Sequence, residues 1–319
     1  MSAHSAGLVR DFSPKEFIPP MKMRRMNTLS RMGLSAAKLA LRDAGIDALD
    51  PATGVALGTA FGPVQTSVDY MQEYVEKGAA LAPPQLFAES VANAPGSHIA
   101  IELGLRGFNV TITQRESSAL AAAMYASSQI LKGMAPAALI GGVEEVNEMI
   151  FSVLDRIGAL RSTEGGSGIA IGEGSAVFIA GVTASSRVYG YLSGFGIARD
   201  TTASISDWGN DPKAVASAMA AALDDAGIRR EDVGAIYASA NGNARGDGLE
   251  LDAIRGLFGE SAPPIVATKA VFGEYAAGGA LQLAAALIDI REGDLRHILV
   301  NSLSAGGGIV CAVISREDG

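Results

Sequence analysis

Helical and strand-like patterns alternate along the chain, and one order of patterns occurs twice. An alanine-rich helical pattern ends at Gly45 and is followed by a short apolar run at residues 54–58. In the second half, a similar pattern ends at Gly227 and is followed by an apolar run at residues 233–239. Glycine often ends a helix in the left-handed conformation. The patterns therefore predict two helix–strand units of one kind.

A second repeated pattern follows each of these units. A helical pattern of small residues at 118–132 precedes a strand pattern at 138–142. In the same way, a helical pattern at 278–291 precedes a strand pattern at 297–301. Strands that alternate with helices usually form sheets covered by helices, so the chain is predicted to be α/β.

The repetition divides the chain into two similar halves, residues 1–185 and 186–319, which we expect to be packed back to back. Residues 117–128 and 276–286 have mostly small side chains. Helices with so few bulky side chains permit close backbone approach. We therefore predict that these two helices form a buried layer between two sheets.

Composition and charge narrow the classes of function. The chain has 319 residues, of which 48% are hydrophobic, and a net charge of -9. This charge argues against nucleic acid and against anionic membranes, because both attract clustered cationic side chains. Lys22, Arg24 and Arg25 form the one basic run. We interpret this run as solvated rather than as a docking patch.

The single cysteine, Cys311, excludes a disulfide within the chain and a Cys-x-x-Cys metal site. We therefore expect a reducing, cytoplasmic setting and neither a cofactor nor a metal. No apolar run reaches the roughly 20 residues of a membrane span, so no span is expected. Residues 1–20 have no signal-peptide pattern, and we expect no such peptide.

Five motifs occur in an order that resembles the beta-ketoacyl-acyl carrier protein synthases, the condensing enzymes of fatty acid and polyketide synthesis. The similarity covers nearly the whole chain from about Phe12 onward. The motifs are residues 104–107 with 109–113, residues 172–176, Gly246-Asp247 with Glu250, Thr268-Lys269 with Gly273 and Gly278-Gly279, and Asn301-Ser302 with Gly306-Gly307.

The resemblance implies a thiolase-like fold, a duplicated α-β-α-β-α layered arrangement in which each half contains a mixed five-stranded sheet. Family members usually begin earlier, with a strand near the middle of the first sheet. Its counterpart in the second half is residues 188–197, and only residues 6–10 could fill that place here. We therefore expect that the first sheet lacks its N-terminal strand, that the recorded start lies too late, or that a partner supplies the strand.

A condensing synthase needs a cysteine thiolate at a helix N-terminus, where the helix dipole lowers the thiol pKa, and two histidines that assist decarboxylation. By resemblance, Glu116 stands at the cysteine position. A carboxylate is stabilised there, but it cannot form the acyl thioester. Ser117 and Ser118 carry hydroxyl groups, yet no histidine is near in sequence to activate them. We interpret these two serines as helix caps.

The first histidine position falls at Asn241 or, if the shorter loop is aligned differently, at Asn243. The second histidine position falls at Glu274, and the family's lysine is retained as Lys269. We interpret Lys269 as an ion-pair partner of Glu274 or Glu116. Ala305 stands where the family usually has a gating phenylalanine.

The three histidines, His4, His98 and His297, lie away from these motifs. We expect His4 in a loose terminus, His98 as a helix-packing residue and His297 at the start of a strand. Cys311 lies in a buried strand pattern and is interpreted as a core residue. The sequence therefore offers no replacement for the catalytic set, and we assign no catalytic residue.

Loss of the catalytic residues on an intact scaffold resembles the chain length factors of type II polyketide synthases, which pair with an active ketosynthase. The resemblance implies a non-condensing subunit of type II polyketide or fatty acid synthesis, inactive alone. Its partner would be a ketosynthase or a second copy, and acyl carrier protein is a further candidate. In such pairs the strand before the nucleophile turn lies at the interface, here residues 107–114.

Two other hypotheses remain open on the sequence. Glu116 could support a residual acyltransferase or malonyl-carrier-protein decarboxylase activity, for which only backbone N–H groups could donate to an oxyanion. Alternatively, the fold serves unrelated binding.

Overall fold

The computed structural model describes residues 4–182 and 187–316. Its strands are β1 Ala6–Gly7, β2 Gly54–Gly58, β3 Asn109–Ile112, β4 Ala137–Glu144, β5 Ile171–Gly172, β6 Gly174–Gly181, β7 Tyr191–Arg199, β8 Ala235–Tyr237, β9 Ile265–Val266, β10 His297–Leu303 and β11 Gly308–Ser315. Its helices are α1 Pro20–Met23, α2 Thr28–Ala44, α3 Val64–Lys77, α4 Pro84–Glu89, α5 Ala94–Leu103, α6 Ser118–Leu131, α7 Glu148–Arg156, α8 Pro212–Ala226, α9 Ala244–Phe258, α10 Lys269–Phe272 and α11 Ala280–Glu292.

The two repeated helices, α2 and α8, begin and end as their sequences predict. The side chains of Asn27 and Asp211 accept backbone N–H groups of the first turn of α2 and α8, respectively. Gly45 ends α2 with φ of 67°, and Gly227 ends α8 with φ of 66°. Glycine adopts this left-handed conformation without the steric penalty of a Cβ atom. The predicted helix–strand units are therefore confirmed, with β2 and β8 as the strands.

Two mixed sheets form the core of the fold. The second sheet has five strands in the order β7-β11-β10-β8-β9, and the first has four in the order β3-β2-β4-β6. In both sheets, parallel pairs (β2 with β4, β8 with β10) adjoin an antiparallel pair (β4 with β6, β10 with β11). The predicted α/β class with duplicated mixed sheets is confirmed.

The expectation about the N-terminal strand needs a correction. Its counterpart in the second half, β7, lies at the edge of the second sheet and not near the middle, because β7 pairs with β11 alone. Residues 6–10 do not join the first sheet either. Ala6 and Gly7 pair in parallel with β5, and the backbone N–H of Val9 donates to the Glu173 carboxylate at 3.0 Å. The first sheet therefore has four strands within the described residues.

The helices α6 and α11 form the predicted buried layer. Helix α6 contacts β2 and β4 of the first sheet and β11 of the second, while α11 contacts β10, β11 and β6. Strand glycines permit this approach: a Cβ atom at Gly58 would lie 2.3 Å from the Ala119 nitrogen in α6, and one at Gly142 would lie 2.0 Å from the Ala277 oxygen in the 3-10 turn that leads into α11. Backbones of sheet and helix layer therefore touch without intervening side chains.

The division of the chain at residue 185 stays a prediction, because residues 183–186 lie outside the described residues. Among the helices of the described part, none combines the length and the apolar character that crossing a membrane requires.

A methyl group placed between a strand and the central layer tests this packing. We expect Gly142→Ala to lower the free energy of unfolding by about 1–3 kcal/mol or more, because the new methyl meets backbone rather than a movable side chain. Urea unfolding followed by circular dichroism measures the effect.

The matched control is Gly256→Ala in α9, where a Cβ atom would meet nothing within 4 Å. This change should raise stability by about 0.5–1 kcal/mol. Equal effects of the two substitutions would contradict the packing described.

Candidate functional site

The turn between β3 and α6 places Glu116 at the centre of the molecule. A 3-10 turn, Arg115–Ser117, precedes α6, and Arg115 has φ of 49°. This left-handed conformation is disfavoured by about 1–2 kcal/mol for a residue with a Cβ atom, so the surrounding structure must hold the turn in place. The side chain of Glu116 is fully buried as a result.

Both carboxylate oxygens of Glu116 accept hydrogen bonds. The hydroxyl of Tyr275 donates to Oε1 at 3.1 Å, and the backbone N–H of Ala305 donates to Oε2 at 3.2 Å. The hydroxyl of Ser302 donates to the backbone oxygen of Glu116 at 3.1 Å. Three segments distant in sequence therefore meet at this residue, and its carboxylate is satisfied without any ligand.

Glu274 lies buried in the same region and holds the second set of contacts. The ammonium of Lys269 lies 2.9 Å from Oε2 of Glu274, and both side chains are almost fully buried. The side-chain amide of Asn241 donates to the same oxygen at 2.7 Å, and the backbone N–H of Tyr275 donates to Oε1 at 2.9 Å. We refer to Glu116, Glu274, Lys269, Asn241 and Tyr275 as the buried acid cluster.

Of the two candidates for the first histidine position, only Asn241 belongs to this cluster. The side chain of Asn243 instead caps α9 by accepting the backbone N–H groups of Arg245 and Gly246. Of the two carboxylates proposed as partners of Lys269, Glu274 is the one that pairs with it.

Charge in the buried acid cluster is unbalanced, because two carboxylates share one ammonium group. Burial, and after it the negative charge of Glu274, raise the pKa of Glu116 from 4.5 to about 7. Lys269 and the hydrogen bond from Tyr275 oppose this rise. Burial is also the main cause that raises the pKa of Tyr275 well above its usual value. The cluster therefore keeps Glu116 protonated at pH values below about 7.

A third buried carboxylate, Glu250, connects the cluster to residues that follow β8 and to residues within β10. It accepts the backbone N–H of Ser239 at 3.0 Å and the side-chain amide of Asn301 at 2.9 Å. Lys269 also donates to the hydroxyl of Ser239 at 3.3 Å. Burial raises the pKa of Glu250 to about 7.

The serines after Glu116 do not cap α6 with their side chains, contrary to expectation. No side-chain cap bond is made at Ser117, whose hydroxyl lies 2.5 Å from that of Ser304. The hydroxyl of Ser118 donates to the backbone oxygen of Thr59 at 3.0 Å. Because a 3-10 turn precedes α6, these hydroxyls tie the turn to neighbouring loops instead.

The histidines and the cysteine lie elsewhere. His98 contacts Glu89 at 2.7 Å, and His297 contacts Ser315 at 3.0 Å. His4 was expected in a loose terminus, but its ring lies 3.0 Å from the Asp155 carboxylate and is largely buried. Cys311 is fully buried in β11, as predicted for a core residue, and burial raises the pKa of its thiol well above its usual value.

Sequence reasoning missed three features of the site. Tyr275 and the backbone N–H of Ala305 are the donors to Glu116. Trp208 lies beside Asn241 and packs so closely on the first turn of α9 that a Cβ atom at Gly246 would lie 1.6 Å from the indole. No motif marks these contacts, because each joins segments far apart in the chain.

Two cavities adjoin the buried acid cluster, and Glu116 lines neither. One, of about 400 Å³, is lined by residues 113–115, 198–199, 304–306 and 308. The other, of about 10 Å³, lies between Trp208, Asn241 and Glu250 and has space for about one water molecule. Chemically, the cluster can exchange a proton at Glu116, but it presents no thiol or imidazole.

Comparison with known proteins adds family information to this geometry. Residues 5–182 match the sequence model of the beta-ketoacyl synthase N-terminal domain, and residues 189–300 match that of the C-terminal domain. The chain is 27% identical over 281 residues to 3-oxoacyl-[acyl-carrier-protein] synthase 2 of Vibrio harveyi, covering 81% of this chain and 67% of that protein. It is 26% identical over 302 residues to the enzyme of that name from Staphylococcus aureus strain N315, covering 87% and 73%.

Solved structures have the same fold. One is the ishigamide ketosynthase/chain length factor, with a TM-score of 0.88, 22% identity and coverage of 97% of this chain and 87% of that chain. Another is a ketosynthase (ApeO) in complex with its chain length factor (ApeC) from Xenorhabdus doucetiae. Its TM-score is 0.82 at 20% identity, with coverage of 99% and 90%.

The protonation of Glu116 predicts how stability depends on pH. The pKa in the folded state lies above the unfolded value, so the folded chain binds this proton more tightly. Its stabilising effect is present below about pH 4.5 and is lost as the pH rises towards 7. Glu116→Gln has no proton to lose and should abolish this loss. We therefore expect its free energy of unfolding, relative to that of the parent, to be higher at pH 8 than at pH 5 by on the order of 2 kcal/mol. Urea unfolding at both pH values measures the gain.

The control for this measurement is Glu292→Gln at the exposed end of α11. It removes a charge of the same sign from an exposed position. It should not change the difference in free energy of unfolding between pH 5 and pH 8. An unchanged pH dependence in Glu116→Gln would contradict the protonation described.

Breaking the buried ion pair between Lys269 and Glu274 tests its contribution to stability. We expect Lys269→Met to lower the free energy of unfolding by about 3–5 kcal/mol, because it leaves the Glu274 carboxylate buried without its cation. The double variant Lys269→Met with Glu274→Gln should recover at least half of that loss. Equilibrium unfolding of the two variants gives the comparison, and a double variant no more stable than Lys269→Met would show that the pair is not the origin of the effect.

Proposed function

Because both halves match its sequence models, this chain belongs to the beta-ketoacyl synthase family, and we propose that it is a non-condensing subunit of that family. In this proposal it pairs with an active ketosynthase in type II polyketide or fatty acid synthesis. The positions equivalent to the family's cysteine and two histidines are proposed to be Glu116, Asn241 and Glu274. The retained lysine is Lys269, and the proposed halves remain residues 1–185 and 186–319.

The observation that carries the proposal is the closed state of the buried acid cluster. The carboxylate of Glu116 cannot form a thioester. Its two oxygens are already bonded to Tyr275 and Ala305. At the other positions, Asn241 and Lys269 both bond to Glu274, and neither supplies an imidazole. These contacts favour a structural role for the cluster within the core over a role in carbon–carbon bond formation.

The scaffold around the cluster favours a role in assembly over simple loss of function. The turn before α6 holds Arg115 in a left-handed conformation, although Glu116 cannot serve there as a thiol nucleophile. Close glycine contacts between strands and the central layer are also present. A chain under no constraint would be expected to lose such features together with the chemistry. Retention of the fold alone is what pairing with a catalytic subunit requires.

The surface proposed for pairing is the outer edge of β3, within residues 107–114. This strand pairs with β2 alone in the described part of the chain. The backbone oxygens of Phe108 and Ile112 accept N–H groups from the β2 side, so the alternate residues Asn109 and Thr111 direct their backbone groups outward. Unpaired backbone groups of this kind are a template for pairing with a second chain.

Further parts of the proposal rest on the family and on composition. Solved relatives include a ketosynthase in complex with its chain length factor and another bound by an acyl carrier protein. A ketosynthase is therefore the first partner to test, with a second copy and an acyl carrier protein as further partners. Burial of the single cysteine in β11 fits a reducing, cytoplasmic setting.

Co-purification tests this proposal with two matched variants. We expect the chain to form a complex with its ketosynthase and to have no condensing activity alone. Glu116→Ala should leave the complex intact, because the side chain is internal. Thr111→Pro should abolish the complex but not the fold, because it removes an outward N–H from an edge strand. Pull-down and analytical ultracentrifugation measure assembly, and circular dichroism checks the fold.

Two outcomes would overturn the proposal. One is condensing activity of the isolated chain. The other is acetyl product formed from malonyl carrier protein, which would support a decarboxylase centred on Glu116, provided that Glu116→Ala abolishes it. A complex that survives Thr111→Pro would move the interface away from β3.

A further inference from the structure

The larger cavity beside the buried acid cluster has a cationic wall. Among the described residues that line it, two are arginines and none is acidic. Its volume of about 400 Å³ lies within the usual range of ligand pockets. Arg115 comes from the turn before α6 and Arg199 from the end of β7, so the two guanidinium groups reach the cavity from different segments. In a chain with a net charge of -9, such a wall is a local reversal of sign that attracts anions.

Small residues create the space beside the two arginines. Ala198, Ala305, Gly306 and Gly308 line the cavity, and none has a side chain larger than a methyl group. A Cβ atom at Gly308 would lie 3.0 Å from Nε2 of Gln114, so glycine at this position leaves room for an amide group on the wall. The cavity therefore combines charged and polar groups with room for the body of a ligand.

The protein does not neutralise either guanidinium group. The arginine ion pairs found within the described residues involve other arginines. Arg115 donates one hydrogen bond, to the backbone oxygen of Ile205 at 2.6 Å. The side chain of Arg199 makes none with the described part of the chain. Since a guanidinium group has five N–H donors, both arginines keep donors for a ligand.

The acids that follow the two arginines in sequence are engaged elsewhere. Glu116 is bonded within the buried acid cluster. Asp200 accepts the hydroxyl and the backbone N–H of Thr202. Neither residue lines the cavity, so neither carboxylate takes the place of an anionic ligand there.

The turn before α6 fixes one of the two arginines at the cavity. Arg115 has φ of 49°, and left-handed backbone of this kind, outside glycine, is concentrated at active sites and ligand-binding sites. The hydrogen bond to Ile205 then holds its guanidinium group in place. Arg115 is half-buried, so water competes less for its remaining donors than at an open surface.

We propose that this cavity binds a small molecule bearing a phosphate monoester, with the phosphate group in contact with both Arg115 and Arg199. A carboxylate has two oxygens, which one guanidinium fork satisfies. A phosphate monoester offers three oxygens and nearly two negative charges at pH 7. Two forks that arrive from different segments therefore match the phosphate. The side chains of Thr113 and Gln114 line the same cavity and serve the remaining polar groups of the ligand.

This site is independent of the proposed pairing and lies beyond the proposed function. Pairing depends on the outward backbone groups of β3, whereas phosphate binding depends on two arginine side chains outside residues 107–114. Absence of phosphate binding would therefore leave the pairing proposal untouched. Failure to pair would in turn leave the cavity and its two arginines as they are.

Propyl phosphate is the probe, with butanoate and the diester methyl propyl phosphate as matched anions. We expect one propyl phosphate to bind per chain in isothermal titration calorimetry. Butanoate and the diester each carry a single charge and should bind at least about tenfold more weakly, because they cannot serve both guanidinium groups equally. Bound propyl phosphate should also slow hydrogen exchange at residues 113–115 and 304–308.

Matched variants of the full chain locate the site. Arg199→Gln and Arg115→Asn each remove one guanidinium group and should weaken binding by about tenfold or more. Asparagine tolerates the left-handed conformation and so preserves the turn. Ala305→Leu fills the cavity but keeps the backbone N–H that Glu116 accepts, and it should abolish binding. Arg24→Gln removes the same charge from an exposed position outside the cavity and should leave binding unchanged. Circular dichroism confirms that the variants are folded.

Three results would overturn the proposal. The first is no binding of propyl phosphate by the folded chain at millimolar concentration. The second is butanoate binding as tight as that of propyl phosphate. The third is binding that survives both Arg199→Gln and Ala305→Leu, which would move the anion to another part of the surface.

Discussion

A carboxylate buried at the meeting point of three chain segments is the constraint around which this molecule is organised. Glu116 is fully enclosed, and an enclosed charge or acid needs donors from its surroundings. Tyr275 and the backbone of Ala305 provide them, and each belongs to the second half of the chain. The contacts therefore join the turn before α6 to two loops of the second sheet. Removing the donors would leave a polar group without partners in the core.

The neighbouring ion pair follows from the same constraint. One ammonium group, that of Lys269, serves two acids and is committed to Glu274 at 2.9 Å. Glu116 is left without a cation of its own, and its pKa is raised to about 7. The polar groups of the cluster are held by hydrogen bonds to one another and to the backbone.

Much of the fold could be predicted from the sequence, because the duplication repeats local signals. The glycines that end α2 and α8 and the small residues of α6 and α11 act through short-range sterics, which residue type alone reveals. Strand order, in contrast, is not set by short-range sterics. The position of β7 at a sheet edge depends on which strands pair, and no local pattern encodes this. The same limit explains why the start of the first sheet was misplaced.

Prediction of the site was partial for a related reason. Glu116, Asn241, Glu274 and Lys269 could be identified from motif order, and they do lie together. Tyr275 could not be identified, since its contact to Glu116 spans 159 residues and depends on the packing of the halves. The serines after Glu116 were misread as caps because a 3-10 turn, which no motif announces, shifts the start of α6.

The indole over Gly246 has a consequence of its own. Trp208 is the sole tryptophan of the chain, half-buried against the loop that carries Asn241. Its emission spectrum therefore comes from one place and has no background from other indoles. Any opening of that loop, for example on loss of the Lys269–Glu274 ion pair, would expose the ring to water and move its emission to longer wavelength. The molecule thus contains a built-in optical reporter of whether its central loop is shut.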